Sequence, residues 1–320
     1  MQNYAKTENL DKISVIIPVY FNADVLKETH SVLTQTLSAH AQKFDYELVF
    51  VDDGSKDESY KVMQEISAGD NRVKLVKLSK NHGAYVAILS GMNYATGDAV
   101  VFLAADLQDP PELIPQMYDE WVLGNKRDLV LCVRQSRSDP FLSKLFSAAF
   151  YKIFRALVLP EYPKTGFDLC MINKEQAKIL VDMDEKNSHL TVQIIWLGFG
   201  RRFLYYHRRE RKQGKSRWSF FKRLKLAFDT FFGFSARPLR IASFIGMLVW
   251  LPALLLGVYV LLRKIISDAP LFGIPSLIVA IFLTGGFILL SIGIIGEYLW
   301  RNFDATRKRP TFIVEETKNI

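Results

Sequence analysis

VFLAADLQDPPE, residues 101–112, is a short apolar run that stops abruptly in two carboxylates, an amide and a Pro-Pro pair. Val101, Phe102 and Leu103 have the composition of a buried strand, so Asp106, Gln108 and Asp109 are expected together just past its carboxyl end. In open α/β sheets that edge is where ligands bind. Pro110 and Pro111 lack amide protons and suit the start of a helix with Glu112 in its first turn, which leaves a short acidic loop held between two elements. Hard oxygen donors on such a loop suit Mg²⁺ or Mn²⁺, and a divalent ion would in turn hold a diphosphate. A solvated Asp-rich turn is the plainer alternative, and the flanking segments decide between them.

Upstream, residues 13–19 (ISVIIPV) form a β-branched run suited to a strand buried on both faces, with Pro18 at its end where a missing donor is tolerated. Residues 23–37 carry apolar positions at helical spacing, and 47–51 are a second strand running into Asp52-Asp53-Gly54-Ser55. Asp57 is placed to cap a helix over 58–67; a third strand follows at 73–78, a third helix at 83–94, the fourth strand at 100–103 and a fifth at 129–133. This strand–helix–strand rhythm predicts a parallel sheet with right-handed crossovers. Asp52 and Asp53 then close strand two as Asp106 closes strand four, and acidic groups from separate loops meet on one edge. Neither GxGxxG after strand one nor GxxxxGK[ST] is present, which disfavours a dinucleotide fold and a P-loop ATPase.

The chain has 320 residues, a net charge of +8 and pI ≈ 9.3. Nucleic acid, acidic lipid and phosphorylated substrate all satisfy that charge, so its position must discriminate. Cys132 and Cys170 have neither disulfide-framework nor zinc spacing and read as reduced buried residues. The first twelve residues are polar, without the apolar core of a signal peptide, and the N-terminus is expected in the cytosol.

Residues 141–158 pattern as an amphipathic basic helix, facing either a core or an anionic membrane surface. His82 and His189 lack partners at metal-ligand spacing and read as packing or capping residues. Residues 201–217 are strongly basic. Trp218, Phe221, Leu224, Phe228, Phe231 and Phe232 then recur at three- and four-residue steps opposite Lys222, Arg223 and Lys225, the pattern of an interfacial helix over 217–236. Residues 241–262 and 271–295 carry no charge, and at about 1.5 Å per residue each exceeds roughly 30 Å, enough to span a bilayer. Their short connection makes a hairpin over 237–300 (helices at about 241–262 and 271–298). Arg237, Arg240, Arg301, Arg307, Lys308 and Arg309 outside it, against Arg263 and Lys264 within it, predict both termini on the cytoplasmic side of the inner membrane. Gly293 and Gly296 offer close helix contact, within the hairpin or between subunits. The sheet is expected to be complete before Arg237, leaving 301–320 as a cytoplasmic tail.

IPVY, VDDGSKD, the SKNHG turn, ADLQDPPE and the run Arg208, Arg211, Gly214, Ser216, Arg217, Trp218 together resemble the inverting family-2 glycosyltransferases of GT-A fold, in particular the polyprenyl-phosphate subgroup that includes dolichyl-phosphate mannose synthase and the bactoprenyl glucosyltransferases of O-antigen modification. The resemblance covers almost the whole chain and implies an α/β, Rossmann-like, mainly parallel catalytic domain over 1–216. It implies that Pro18, Tyr20, Asp52, Asp53, Lys80, Gly83 and Asp106 surround the donor nucleotide sugar, and that Asp106 and Gln108 hold Mg²⁺ or Mn²⁺. Asp168 matches a substrate-facing acid, Arg208 and Arg211 belong to a loop closing over the diphosphate, and Lys215, Ser216, Arg217 and Trp218 lie at the acceptor phosphate and membrane. The common acidic motif is Asp-x-Asp, and Ala104 replaces its first carboxylate. Asp109 is a substitute ligand or, as favoured here, a cap for the Pro-Pro-Glu helix. The expected reaction moves a sugar, by resemblance from a UDP-hexose, to a polyprenyl phosphate such as undecaprenyl phosphate for cell-envelope glycan assembly, with no role for nucleic acid. The resemblance also implies a homo-oligomer, a tetramer. A processive polysaccharide synthase and an inactive nucleotide-sugar-binding scaffold are the alternatives.

Overall fold

The computed structural model describes residues 10–135, 151–156, 158–164, 166–185, 189–209, 237–267 and 274–320. These fall into two units: one holds the sheet, its helices and the last residues, Pro310–Ile320, and the other holds two long apolar helices.

The apolar runs become the strands β1 (Lys12–Val19), β2 (Asp45–Asp52), β3 (Val73–Leu78), β4 (Ala99–Phe102) and β5 (Leu129–Arg134), followed by β6 (Leu169–Asn173), β7 (Arg201–Tyr206) and β8 (Val314–Lys318). They form one sheet in the order β7-β5-β6-β4-β1-β2-β3-β8. β1 pairs in parallel with β2 and β4, β2 with β3, and β5 with β7. Only β6, inserted between β4 and β5, and β8, on the outer edge of β3, run the other way. The carboxyl ends of six strands therefore share one edge with the amino end of β6.

β1 is buried on both faces, as its unbroken apolar run requires. Ile13, Val15, Ile17 and Val19 pack in one cluster with Leu26, Leu33 and Leu37 of α1 (Leu26–Ser38), Met63 and Ile66 of α2 (Ser59–Gly69), and Ile114, Met117 and Trp121 of α4 (Leu113–Leu123). Ile16 points the other way, under α3 (Ala84–Tyr94). A Cβ on Gly91 would lie 2.4 Å from Ile16 Cγ2 and 3.0 Å from Val51 Cγ2, so the absence of a side chain there sets how closely α3 approaches the sheet. Two further helices follow β6: α5 (Lys174–Asp182), closed by a capping box between Asn173 and Gln176, and α6 (Leu190–Trp196), whose Thr191 amide donates to His189 Nδ1. His189 is thus a capping residue. Cys132 and Cys170 are buried free thiols.

The sheet is not complete before Arg237. The last residues, expected as a tail, return as β8 and cover the free edge of β3. Their polar sequence, VEETK, hides this: an edge strand facing water on one side needs no apolar run.

The second unit contains α7 (Arg237–Ser267) and α8 (Ile274–Thr306). Leu239–Tyr259 and Ala280–Thr306 are long and apolar enough to cross a membrane, and hardly any of their described residues are buried. The helices touch where Gly246 meets the Phe287 ring, 2.7 Å from a Cβ placed there, whereas Gly293 and Gly296 have nothing within 4 Å. Of these three glycines, Gly246 is the one that meets the facing helix. Of the amphipathic segment 141–158, residues 151–156 are helical; 136–150 and the interfacial segment 217–236 lie outside the described residues.

Candidate active site

The loops after β1, β2 and β3 are sewn together at the shared edge. Pro18 pairs with Val51 in the last turns of the ladder, and Tyr20 stacks edge-on against Phe21 with ring centroids 4.6 Å apart. Phe21 sits at φ 55, and its amide donates to Ser55 Oγ at 3.1 Å; the Asn22 amide donates to Ser59 Oγ at 2.9 Å. Asp52 and Asp53 are both buried but do different things. Asp53 accepts from the His82 amide at 2.7 Å, the Gly83 amide at 2.8 Å and Asn81 Nδ2 at 2.9 Å, so it clamps the turn that carries Lys80. Burial nonetheless pushes its carboxyl up to about 6, against the pull of those two amides and with help from the neighbouring Asp52 charge. Gly54, at φ +68, admits the turn: a Cβ would stand 2.5 Å from the Lys80 carbonyl carbon. Asp52 accepts from the Ser55 amide through Oδ1 at 3.2 Å, while its buried Oδ2 has no partner among the described residues. Burial raises its carboxyl as well, opposed by Ser55 and the Lys77 charge.

Past β4, Ala105 is tied to α1 by a 2.7 Å bond from Thr29 Oγ1 to its carbonyl. Asp106 Oδ1 then accepts from the Gln108 amide at 3.2 Å, and Leu107 takes φ 52 to make the turn. Asp109 does not cap α4, whose first residues are held by the Pro110 and Pro111 carbonyls. Its buried carboxylate accepts from Tyr206 Oη at 2.7 Å and lies 3.2 Å from Arg208 Nε, an ion pair whose N–H is not aligned as a hydrogen bond. The cap was expected from the Pro-Pro-Glu sequence alone; the tertiary partners come from the end of β7 and the residues just past it, nearly a hundred residues away. Burial raises the Asp109 carboxyl, with Arg208 and Tyr206 pulling it down.

Because β6 is antiparallel, Asp168 arrives at the same edge from the opposite direction. Arg134, at the end of β5, grips it with two guanidinium nitrogens, NH2 at 2.6 Å from Oδ1 and Nε at the other oxygen, and Tyr206 Oη lies 3.2 Å from Oδ2. Tyr206 thus bridges Asp109 and Asp168. The Arg209 amide donates to the Gln108 carbonyl at 2.9 Å and its guanidinium pairs with Glu112 at 3.0 Å, which holds the segment after β7 against the acidic loop. One edge therefore presents a rim of loops on the β1–β3 side and a mixed acid–arginine cluster on the β4–β7 side. That division suits a donor carrying a diphosphate.

Residues 14–174 match the model of glycosyl transferase family 2. The chain belongs to this family. Similar over 96% of its length are an uncharacterized glycosyltransferase of Bacillus subtilis (YkcC), 36% identical with 94% of that relative covered, and the bactoprenol glucosyl transferase of Shigella phage SfX, 30% identical with all of it covered. Among solved structures, the mannosyltransferase PcManGT of Pyrobaculum calidifontis, in complex with GDP-Man and Mn²⁺, is 17% identical at a TM-score of 0.48, covering 92% of this chain and 88% of that one.

In this family-2 glycosyltransferase, the structure brings Pro18, Tyr20, Asp52, Asp53, Lys80, Gly83, Asp106, Gln108, Asp168 and Arg208 to one edge. Arg211, Lys215, Ser216, Arg217 and Trp218 lie outside the described residues. Sequence reasoning missed Arg134, Tyr206 and Arg209. Arg134 ends an apolar strand without any motif around it, and Tyr206 belongs to a strand whose two leading arginines make it read as part of a basic loop.

Proposed function

We propose that this enzyme transfers a hexose, with inversion, from a nucleoside diphosphate donor to a polyprenyl phosphate at the cytoplasmic face of a membrane. One observation carries the reading: the similarity to proteins named bactoprenol glucosyl transferase runs over 96% of the chain, and so through both apolar helices, rather than stopping with the catalytic segment 14–174. The two exposed apolar helices are the part of such an enzyme that meets a lipid acceptor. The linker between α8 and β8, residues 307–313, reaches at most about 25 Å, which is short of a full bilayer, so the end of α8 belongs on the catalytic side. The arginines outside the hairpin favour the cytoplasm for that side.

The donor base and ribose are assigned to the rim of Pro18, Tyr20, Asp52 and Lys80, where the unpartnered Oδ2 of Asp52 accepts from an N–H of the base. Asp53 and Gly83 keep the turn in place. A divalent ion fits Asp106 with Gln108: Mg²⁺ and Mn²⁺ sites that include substrate phosphates need only one or two carboxylates, and Asp109 is already engaged by Tyr206 and Arg208. An ion held by Asp106 and Gln108 would supply positive charge for the leaving diphosphate. Arg208, with Arg211, supplies guanidinium donors to the same oxygens. The acceptor phosphate, assigned to Lys215, Ser216, Arg217 and Trp218, has a second pKa near ~6 and is mostly dianionic at neutral pH, so Asp168 is an orienting residue, through the Arg134 guanidinium it holds, or a weak base, and a strong base is not required.

The test uses the full-length protein in lipid with a panel of UDP- and GDP-hexoses, undecaprenyl phosphate and Mg²⁺ or Mn²⁺. A lipid-linked monosaccharide with inverted anomeric configuration is expected. A polymer would reveal a processive synthase, and tight donor binding without turnover a scaffold, the role that Ala104 favours.

A further inference from the structure

We infer that the returning strand β8 is a positioning element of the turn at residues 79–83 and, through that turn, of donor binding, with Ile313 and Glu315 making the decisive contacts. The donor half of this statement rests on the assignment of that turn to the nucleotide proposed above. β8 pairs with β3 as Leu75↔Lys318, Val76↔Thr317, Lys77↔Glu316 and Leu78↔Val314, with a register shift at Lys77/Leu78. The ladder does not end with the strand. The Ser79 amide, first of the turn, donates to the Ile313 carbonyl at 3.0 Å. The turn is thus held at its entry by the C-terminal segment and at its exit by Asp53, through Asn81, His82 and Gly83. Cutting the Ile313 tie leaves the entry of this glycine-containing turn held only by the pairing of β3 with β2, which stops at Lys77↔Asp52, two residues short of Ser79.

Glu315 adds an electrostatic link. Its carboxylate pairs with Lys77 Nζ at 2.9 Å, and the Lys77 charge also acts on Asp52, whose Oδ2 lacks a partner. The pair therefore settles where the ammonium rests beside the donor rim. The segment is itself tethered on both sides. The Thr311 amide donates to Asp184 Oδ1 at 3.2 Å and the Thr311 hydroxyl makes a second, shorter bond to the same oxygen. Beyond the strand, Asn319 Nδ2 donates to the Val73 carbonyl at 3.0 Å and the Ser67 carbonyl at 3.4 Å. Asp184 adopts φ 45 where it receives Thr311, a left-handed conformation that few residues take without such partners. A polar five-residue strand has little apolar burial to keep it on an edge, so these tethers account for its residence there.

The experiment compares the full-length enzyme in lipid with the same chain ending at Pro310, with and without an added peptide of residues 311–320. Loss of the strand is expected to speed hydrogen exchange of the amides at 79–83 by about tenfold or more. Donor KM should rise about tenfold while kcat at saturating donor stays within about threefold, and the peptide should reverse both changes. Unchanged exchange at 79–83 overturns the proposal whatever the substrate is. So does a kcat collapse at unchanged KM that the peptide does not repair, the signature of a merely destabilised fold. Faster exchange with unaltered donor affinity supports the positioning of the turn and instead removes the turn from the donor site. If the shortened chain does not fold, Glu315→Ala in the intact chain serves: donor KM should rise about threefold and return with Glu315→Asp, and no change with Glu315→Ala refutes the link.

Discussion

At Asp106 the chain offers one carboxylate where its family commonly has two, because position 104 is alanine. Asp106→Asn should therefore lower turnover by about 100-fold or more while leaving the circular dichroism unchanged, since it deletes the anionic ligand of the proposed metal site and keeps the Asx turn. Near-normal, EDTA-resistant turnover of the variant would remove the metal from the mechanism. Arg208 carries the opposite charge into the same region. Arg208→Lys keeps the charge but loses the planar fork, raising the barrier by about 1–3 kcal/mol, a fall of roughly 5- to 150-fold in single-turnover rate with donor affinity much less affected. A change confined to membrane binding and salt sensitivity would instead mark Arg208 as part of a solvated basic run. Glu47, at the opposite edge, shows charge used for stability alone. Burial would raise its carboxyl, yet bonds from Lys12, Ser14 and Thr96 prevail and hold it at about 2. A folded-state value below the unfolded one means that its stabilisation, of order 3 kcal/mol, is complete above about 4.5 and disappears as pH falls through about 2. Denaturant melts of Glu47→Gln should lose that acid limb, and an unchanged limb would assign it to other carboxylates.

Among the elements, the βαβ run from β1 to β5 was legible because each strand is a short apolar block and each helix carries one apolar stripe. β6, β7, α5 and α6 were not. β6 is five residues long and antiparallel, and β7 opens with Arg201 and Arg202, one pairing with Glu161 and the other with Glu120, so its charges face partners the local sequence does not show. The packing of α3 on the sheet gives a test at this scale. Gly91→Ala should destabilise by about 1–3 kcal/mol in spite of alanine's better helix propensity, because the new methyl overlaps Ile16. Combined with Ile16→Ala, the two losses should sum to less than their separate values. Strict additivity in chemical denaturation would show that α3 does not rest on Ile16.

For the whole molecule, the return of the chain after the hairpin changes what a truncation means. A chain ending at residue 235 loses β8 as well as α7 and α8, so it should melt at a lower temperature than the same chain with residues 310–320 rejoined through a flexible linker. Equal melting temperatures would show that the edge strand adds no stability. Both chains should work poorly on long polyprenyl phosphates, and equal activity with the full-length enzyme would take the hairpin out of the mechanism. The sequence by itself determined the parallel half of the sheet, the acidic edge at Asp52, Asp53 and Asp106, the family and the two long apolar helices, because each is written in local composition or in a contiguous motif. Only the tertiary structure decided that Asp53 clamps a turn while Asp52 keeps an unpartnered oxygen, that Asp109 faces Tyr206 and Arg208 instead of capping α4, that Arg134 grips Asp168, and that the last residues are an edge strand. Those outcomes depend on pairings between residues from 28 to 252 positions apart, which local periodicity does not encode.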